Sequence, residues 1–261
     1  MPSVKVSAYD SAGKQKFKSF NTNIYSAEEI ETLAKNWRRS IQAGGDFKMS
    51  FNPEKKKLFE TRPFSIEVPT NGGLSFALIG STRCGKSTMM VWLVDKYFKK
   101  HIKFLCTLSP QADIYKKMKG IVVPGFKKEV IDEPMKLNRE TKNKYNFLHI
   151  FDDMAMEGKT TPEMTKLLTI GRNSGMSAII SGQKLTMLSA TGRSNVNIVC
   201  CFKQNTDSAI EDTIKNYLRS YFPSGTPILE MIRLYKEYTE DHHFICVNTL
   251  EDKIFISKLD V

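Results

Sequence analysis

Apolar and polar positions change rhythm repeatedly along the chain, and each change predicts an element. After residue 73, short apolar runs alternate with longer segments of helical spacing. The runs at 74–79, 102–108, 146–151, 176–182, 196–202 and 243–248 predict strands. The segments at 86–100, 111–119, 162–172, 207–221 and 226–238 predict helices. Such alternation implies an α/β fold with a mostly parallel sheet flanked by helices. "TPEMTKLLTIGRNSG" has well-marked ends, with Thr161 as N-cap, Pro162 at the first helical position and a glycine-containing exit.

"VPTNGG", residues 68–73, is the clearest punctuation in the chain. It predicts a small N-terminal α+β extension, residues 1–70, ahead of the main α/β domain, residues 71–261. Within the extension, "SAEEIETLAKNWRRSIQ" reads as an amphipathic helix. Ser26 is its N-cap candidate with Glu29 at the capping-box position, and Ile30, Leu33, Trp37 and Ile41 keep helical spacing. "FKMSFNPEKKKLFE" reads as a hairpin-like pair around Asn52–Pro53. Residues 116–144 are Lys-rich and poorly patterned, and are expected to form a surface insertion.

Composition narrows the class. The chain is 41% hydrophobic and 26% charged, which fits a globular protein. Its formal net charge is +11, an excess that favours a polyanionic partner through counterion release. Residues 96–144 carry thirteen Lys and Arg against five Asp and Glu. That stretch is either a solvated face or a surface that tracks phosphates. The five cysteines include no Cys-x-x-Cys pair, and Cys106, Cys200 and Cys201 fall in apolar runs. Reduced core thiols are expected, not a disulfide framework or a zinc site. No apolar run approaches the roughly 20 residues of a membrane span, and the N-terminus lacks the apolar core of a signal peptide.

The chemistry concentrates in "GSTRCGKST": Gly80, Ser81, Thr82, Arg83, Cys84, Gly85, Lys86, Ser87 and Thr88. It matches G-x-x-x-x-G-K-[ST] between a predicted strand and a predicted helix. Glycines let the backbone wrap closely, so successive N–H groups point at phosphate oxygens. The helix beginning near Lys86 adds its positive end. In such a loop the lysine reaches the β- and γ-phosphates and the Ser87 hydroxyl ligates Mg²⁺. A nucleoside triphosphate is the expected ligand.

"YNFLHIFDDM" is a strand ending in Asp152–Asp153. Open α/β sheets bind ligands at the carboxyl ends of their strands, which brings this pair to the phosphates. Asp152 is the candidate for holding Mg²⁺, directly or through water. Asp153 is the candidate for orienting or deprotonating the attacking water. The pair lies sixty-six residues after Lys86 with another strand between them, a spacing that fits motor-type ATPases of this class. "MSAIISGQK" ends in Gln183. If its strand lies between the two motif-bearing strands, Gln183 comes near the γ-phosphate and can report its presence.

"GSTRCGKST", "LSP" at 108–110, "HIFDD", "GRNSGMSAIISGQ" and "RSNVNIVCCFK" together resemble the genome-packaging ATPases of double-jelly-roll DNA viruses, which include the poxvirus and virophage types and belong to the FtsK/HerA superfamily. The resemblance covers roughly residues 70–205. In that family the third position of "GRN" is often His, and here it is Asn173. The resemblance implies a P-loop ATPase of the additional-strand (RecA/FtsK-like) type with ATP and Mg²⁺. It also implies a homo-oligomeric ring, pentamer or hexamer, that drives double-stranded DNA into a preformed capsid without reading its sequence. Capsid vertex proteins are implied partners. The implied place is the host cytoplasm or virus factory, with association to the virion. In such rings a helix-exit Arg can act on the neighbour's nucleotide. Arg172 is the preferred residue for that role, and Arg193, in "TGRSN", competes for it.

Two other readings stay open on the residues. One is a P-loop phosphotransferase acting on a nucleotide or small molecule. The other is a basic ATP-gated scaffold with slow hydrolysis. It draws on Asp153, where most such ATPases carry Glu.

Overall fold

Strand β4 (Ser75–Ile79) is buried along its whole length, and a sheet extends from it on both sides. The computed structural model describes residues 3–21, 27–42, 58–67, 72–154, 162–184 and 188–259. They form two compact units, one of Met1–Leu58 with Phe222–Pro227 and one of Phe59–Tyr221 with Ile228–Val261.

In the smaller unit, β1 (Ser3–Tyr9) and β2 (Gln15–Asn21) form an antiparallel hairpin. Asp10 closes its turn, its Oδ1 accepting from the Ala12 and Lys14 N–H groups at 3.0 and 2.8 Å. Helix α1 (Ala27–Gln42) covers one face of the hairpin, and Ile30, Leu33, Ala34 and Trp37 bury against Val6, Ala8 and Phe20. The Ser26–Glu29 capping box and the hairpin-like pair around Asn52–Pro53 lie outside what is described.

Among the described residues, the larger unit carries a nine-stranded sheet of order β3-β11-β10-β9-β4-β8-β7-β5-β6. Its members are β3 (Glu60–Thr61), β5 (Ile102–Thr107), β6 (Ile121–Pro124), β7 (Phe147–Asp152), β8 (Met176–Gly182), β9 (Ile198–Cys201), β10 (Phe244–Asn248), β11 (Lys253–Ser257) and β4. From β9 to β6 every pairing is parallel. Only β10 runs antiparallel to its two neighbours. All six predicted strands form. Three more join them, β3, β6 and β11, and β6 ends in Pro124 at the sheet's edge, where no ladder bond is lost.

The unit begins at Phe59, ahead of the boundary expected at 70. Glu60–Thr61 pairs with β11, and Phe64 and Ile66 enter the main core.

The helices are α2 (Lys86–Tyr97), α3 (Glu129–Glu140), α4 (Pro162–Thr169), α5 (Ala190–Ser194), α6 (Asp207–Thr213) and α7 (Ile228–Tyr238). The segment expected at 111–119 is a 3₁₀ helix, Asp113–Met118. The one expected at 207–221 is α6 followed by a π turn, Ile214–Leu218, and a last 3₁₀ turn. Thr161, expected to cap α4, lies outside the described residues. Phe76 and Leu78 of β4 face Met89, Met90 and Leu93 of α2, all fully or nearly fully buried.

Residues 116–144 are not a surface insertion. They contain β6 and α3, and Val130, Ile131, Pro134, Met135 and Asn138 form a buried helical stripe. Interspersed Lys and Arg hid this period in the sequence. Pro134 hid it too, because a proline inside a helix removes one N–H and orphans the carbonyl four residues earlier. That carbonyl belongs to Val130. His149 Nε2, on β7, donates to it at 2.8 Å. A long-range side chain thus replaces the missing helical donor.

Candidate functional site

Strand β4 ends at Ile79 and the chain turns at once. Ser81 N–H donates to Lys203 O at 2.9 Å and Gly80 N–H to Gly182 O at 3.1 Å, so β9 and β8 hold the turn from both sides. An ideal Cβ on Gly80 would lie 2.6 Å from Cys84 Sγ and 2.7 Å from Phe202 Cβ, so no larger residue fits. Gly85 has φ of 106°, a left-handed conformation natural to glycine, and it opens α2 without a side-chain cap. No acidic residue occupies the first turn of α2, so its N–H groups and positive end face the loop uncompensated. The Lys86 ammonium is buried and donates to Gly80 O and Ser81 O at 2.8 Å each. A tight glycine turn, an uncapped helix start and a lysine folded over them match a polyphosphate. Burial raises the Cys84 thiol pKa, against the opposing pull of Lys86.

Asp152 is the last residue of β7 and is buried. Its Oδ2 accepts from the Tyr115 hydroxyl at 2.7 Å. Burial, first of several causes, pushes the Tyr115 phenol up to about 12, so the hydroxyl stays protonated at neutral pH. Asp153 follows with φ of 48° and is exposed. That left-handed turn swings its side chain off the strand's line, a conformation Asp tolerates better than most residues. The Asp153 N–H donates to Ser181 O at 3.2 Å, which ties the acid pair to β8. Ser87 sits half-buried in the first turn of α2, and Thr88 is exposed. Ser87 and Asp152 suit a Mg²⁺ that keeps waters and phosphate oxygens as its other ligands.

Strand β8 lies between β4 and β7. Gln183 therefore leaves the sheet between the phosphate loop and the acid pair. Its Nε2 donates to Thr82 Oγ1 at 3.4 Å. Gln204 was not singled out from sequence, yet it knits this corner together. It is buried, its Oε1 accepts from Ser81 Oγ at 3.3 Å, and its Nε2 donates to Gln183 O at 3.3 Å. The Asn205 N–H also donates to Ser81 Oγ, at 2.9 Å. The available signal was the polar "KQN" directly after a strand beside the phosphate-loop strand.

The two arginines fall at different places. Arg172 lies in a 3₁₀ turn, Gly171–Ser174, just before β8 begins. The phosphate loop follows the end of the parallel β4, so Arg172 stands at the opposite edge of the sheet with its side chain exposed. Arg193 lies in α5 and donates to Leu188 O at 2.8 Å. It lines a cavity of about 270 Å³ together with Gln183, Lys184, Asp212, Asn216 and Tyr217. Lys184 is paired with Asp212 at 2.7 Å. Arg193 is thus a neighbour of Gln183 within the same chain, and Arg172 is not.

The family described as Poxvirus A32 protein matches residues 125–260. The chain belongs to the poxvirus A32 protein family. The match spans the acid pair, both arginines and Gln183, and it begins beyond the phosphate loop. No curated protein sequence gives a significant match. Among solved structures, the genome packaging NTPase B204 from Sulfolobus turreted icosahedral virus 2, in complex with AMPPCP, aligns with a TM-score of 0.52 at 16% identity. It covers 73% of this chain and 99% of its own. B204 from Sulfolobus turreted icosahedral virus, a DNA-packaging ATPase, aligns with a TM-score of 0.51 at 19% identity, covering 72% of this chain and 98% of its own. At these identities the likeness is one of fold. This A32-family chain is a P-loop ATPase with a mostly parallel sheet of the additional-strand type. Among its described residues, no helix is long and apolar enough to cross a membrane.

Proposed function

We propose that this chain is a ring-forming motor that uses ATP to drive double-stranded DNA into a preformed viral capsid. The observation that carries the reading is the place of β8, between the phosphate-loop strand and the acid-bearing strand. Nucleotide kinases that only transfer phosphate usually keep those two strands adjacent. Gln183, directly after the intervening strand, gives the site a polar group that can respond to the γ-phosphate and pass the response along the sheet. Membership of the A32 family and the fold shared with viral packaging NTPases support the same reading. So does the net charge of +11, since a motor that travels over any genome must grip phosphates, not bases.

In this mechanism Gly80–Thr88 wrap the phosphates, with Lys86 turning from its loop carbonyls to the β- and γ-oxygens. Ser87 and Asp152 would hold Mg²⁺, which would supply charge neutralisation at those oxygens. Asp153 orients or deprotonates the attacking water. Gln183 senses the γ-phosphate, its side chain bonded to Thr82 and its backbone carbonyl to Gln204. Arg172, from the far edge of the neighbouring subunit's sheet, stabilises the charge that develops during transfer.

The test is hydrolysis of ATP by the purified protein with and without double-stranded DNA, beside Lys86→Ala. Strong stimulation by DNA that vanishes in the variant is expected. Phosphate transfer to a nucleoside monophosphate, with no response to DNA, would replace the motor with the phosphotransferase. Tight binding of ATP and DNA with no turnover would leave the scaffold, and would turn attention to the shorter Asp153.

A further inference from the structure

The "LSP" turn, residues 108–110, has no role in the site described so far, yet a directed chain of hydrogen bonds starts in it. The Ser109 N–H donates to Thr107 Oγ1 at 3.1 Å. Thr107 Oγ1 and Tyr115 Oη lie 3.0 Å apart, and Tyr115 Oη donates to Asp152 Oδ2 at 2.7 Å. A hydroxyl has one proton to give. Tyr115 gives its proton to the carboxylate, so Thr107 must be the donor to Tyr115. The Thr107 oxygen in turn accepts from the Ser109 backbone. Every member then has one polarity: backbone N–H to Thr107 to Tyr115 to Asp152. Thr107, Tyr115 and Asp152 are all buried, at 1%, 6% and 6% exposure, where water competes little and such a chain orients its last member strongly.

The local backbone explains why Tyr115 arrives there. The Ala112 N–H donates to Ser109 O and the Tyr115 N–H to Ala112 O, so the turn after β5 winds directly into the 3₁₀ helix Asp113–Met118. The Tyr115 ring joins the core cluster that includes Met89, Met90 and Leu93 of α2, while its hydroxyl reaches across to β7. One residue therefore packs on the phosphate-loop helix and hydrogen-bonds the candidate metal acid.

We propose that Tyr115, set by Thr107 and the Ser109 turn, is a positioning residue that fixes the Asp152 carboxylate. Its hydroxyl occupies Oδ2 and leaves Oδ1 as the oxygen presented to the magnesium site. The proposal rests on the reading of Asp152 as the acid of that site. Outer-shell donors of this kind typically change metal affinity by roughly 10- to 100-fold when removed.

The experiment titrates Mn²⁺, followed by electron paramagnetic resonance, into the full chain bound to AMPPCP. Nucleotide affinity in EDTA is measured in parallel. Tyr115→Phe keeps the ring and removes only the hydroxyl. It is expected to weaken Mn²⁺ about 10-fold and to leave AMPPCP binding in EDTA unchanged. Thr107→Val should shift Mn²⁺ in the same direction by less. Asp152→Asn is the reference and should lose Mn²⁺ binding. Parental Mn²⁺ affinity in Tyr115→Phe, with binding lost in Asp152→Asn, overturns the role of Tyr115 alone. Equal weakening of Mn²⁺ and of EDTA-borne nucleotide makes Tyr115 a packing residue and also overturns it. Parental Mn²⁺ affinity in Asp152→Asn removes the metal-site reading itself, and the proposal with it.

Discussion

The corner around the phosphate loop and the turn around Arg172, at opposite edges of the parallel sheet, are held differently. At the carboxyl edge, side chains bond to one another and to the phosphate loop: Gln204 to Ser81, Gln183 to Thr82, Tyr115 to Asp152. Around Arg172, at the amino edge, side chains bond to backbone. Asn138 Nδ2 donates to Tyr145 O and Ser174 O at 2.7 and 2.6 Å, and its Oδ1 accepts from the Tyr145 N–H at 3.1 Å. Asn143 Nδ2 donates to Asn173 O at 3.0 Å, and the Gly73 N–H to Arg172 O at 2.8 Å. The first arrangement makes a polar surface that a nucleotide can reorganise. The second stiffens a turn and leaves the Arg172 side chain exposed. On the proposed function, that exposed cation serves the neighbouring chain's nucleotide, since it stands at the edge opposite its own phosphate loop.

The largest effect that could break this contrast is at Arg172 itself. Arg172→Ala should lower turnover by about 10³-fold, the scale of an arginine finger, while sparing nucleotide affinity. Mixing it with Lys86→Ala should restore hydrolysis, because some interfaces then pair an intact loop with an intact arginine. Full turnover in the single variant, or no recovery on mixing, would end the idea that the amino edge works in trans, and Arg193 would be the next residue to replace.

A smaller effect sharpens what the brace does. Asn138→Ala removes three bonds to the half-buried backbone of Tyr145 and Ser174, at a cost of about 1–3 kcal/mol in urea unfolding. Turnover should fall more than nucleotide affinity, since the damaged turn carries Arg172 and not the phosphate loop. Equal losses of both would mean that the two edges are not separable.

The mildest test lies between the edges, at His149. Burial, the main cause, lowers its pKa to about 4. Below about pH 6.5 the unfolded chain takes up a proton that the folded chain refuses until about pH 4. Stability should therefore decline across that window as pH falls, by at most ~1.4 kcal/mol per pH unit, and be unaffected above it. His149→Gln should flatten this part of the profile in denaturant titrations. An unchanged slope would show that other groups set the acid limit.

Much of the site is legible without coordinates because its demands are local. Gly80 and Gly85 answer to a backbone that must turn tightly, Lys86 and Ser87 to a helix that starts at once, and Asp152–Asp153 to a strand that ends. These requirements fall on contiguous residues. Six strands and the alternation that orders them are legible for the same reason. Helix α3 was obscured because Pro134 and the lysines break the local pattern, and the donor that rescues Val130 comes from β7.

The sequence by itself determined the phosphate cradle, the acid pair and the α/β class, since each depends on neighbours along the chain. Only the tertiary structure decided that β8 stands between the two motifs and that Arg172 and Arg193 belong to different neighbourhoods. It also decided that Tyr115 and Gln204 support the site from 37 and 123 residues away. Strand order and buried hydrogen bonds join residues whose separation in sequence carries no signal. Their partners are fixed by which backbones lie side by side in the sheet, and by the need of every buried polar group to find one.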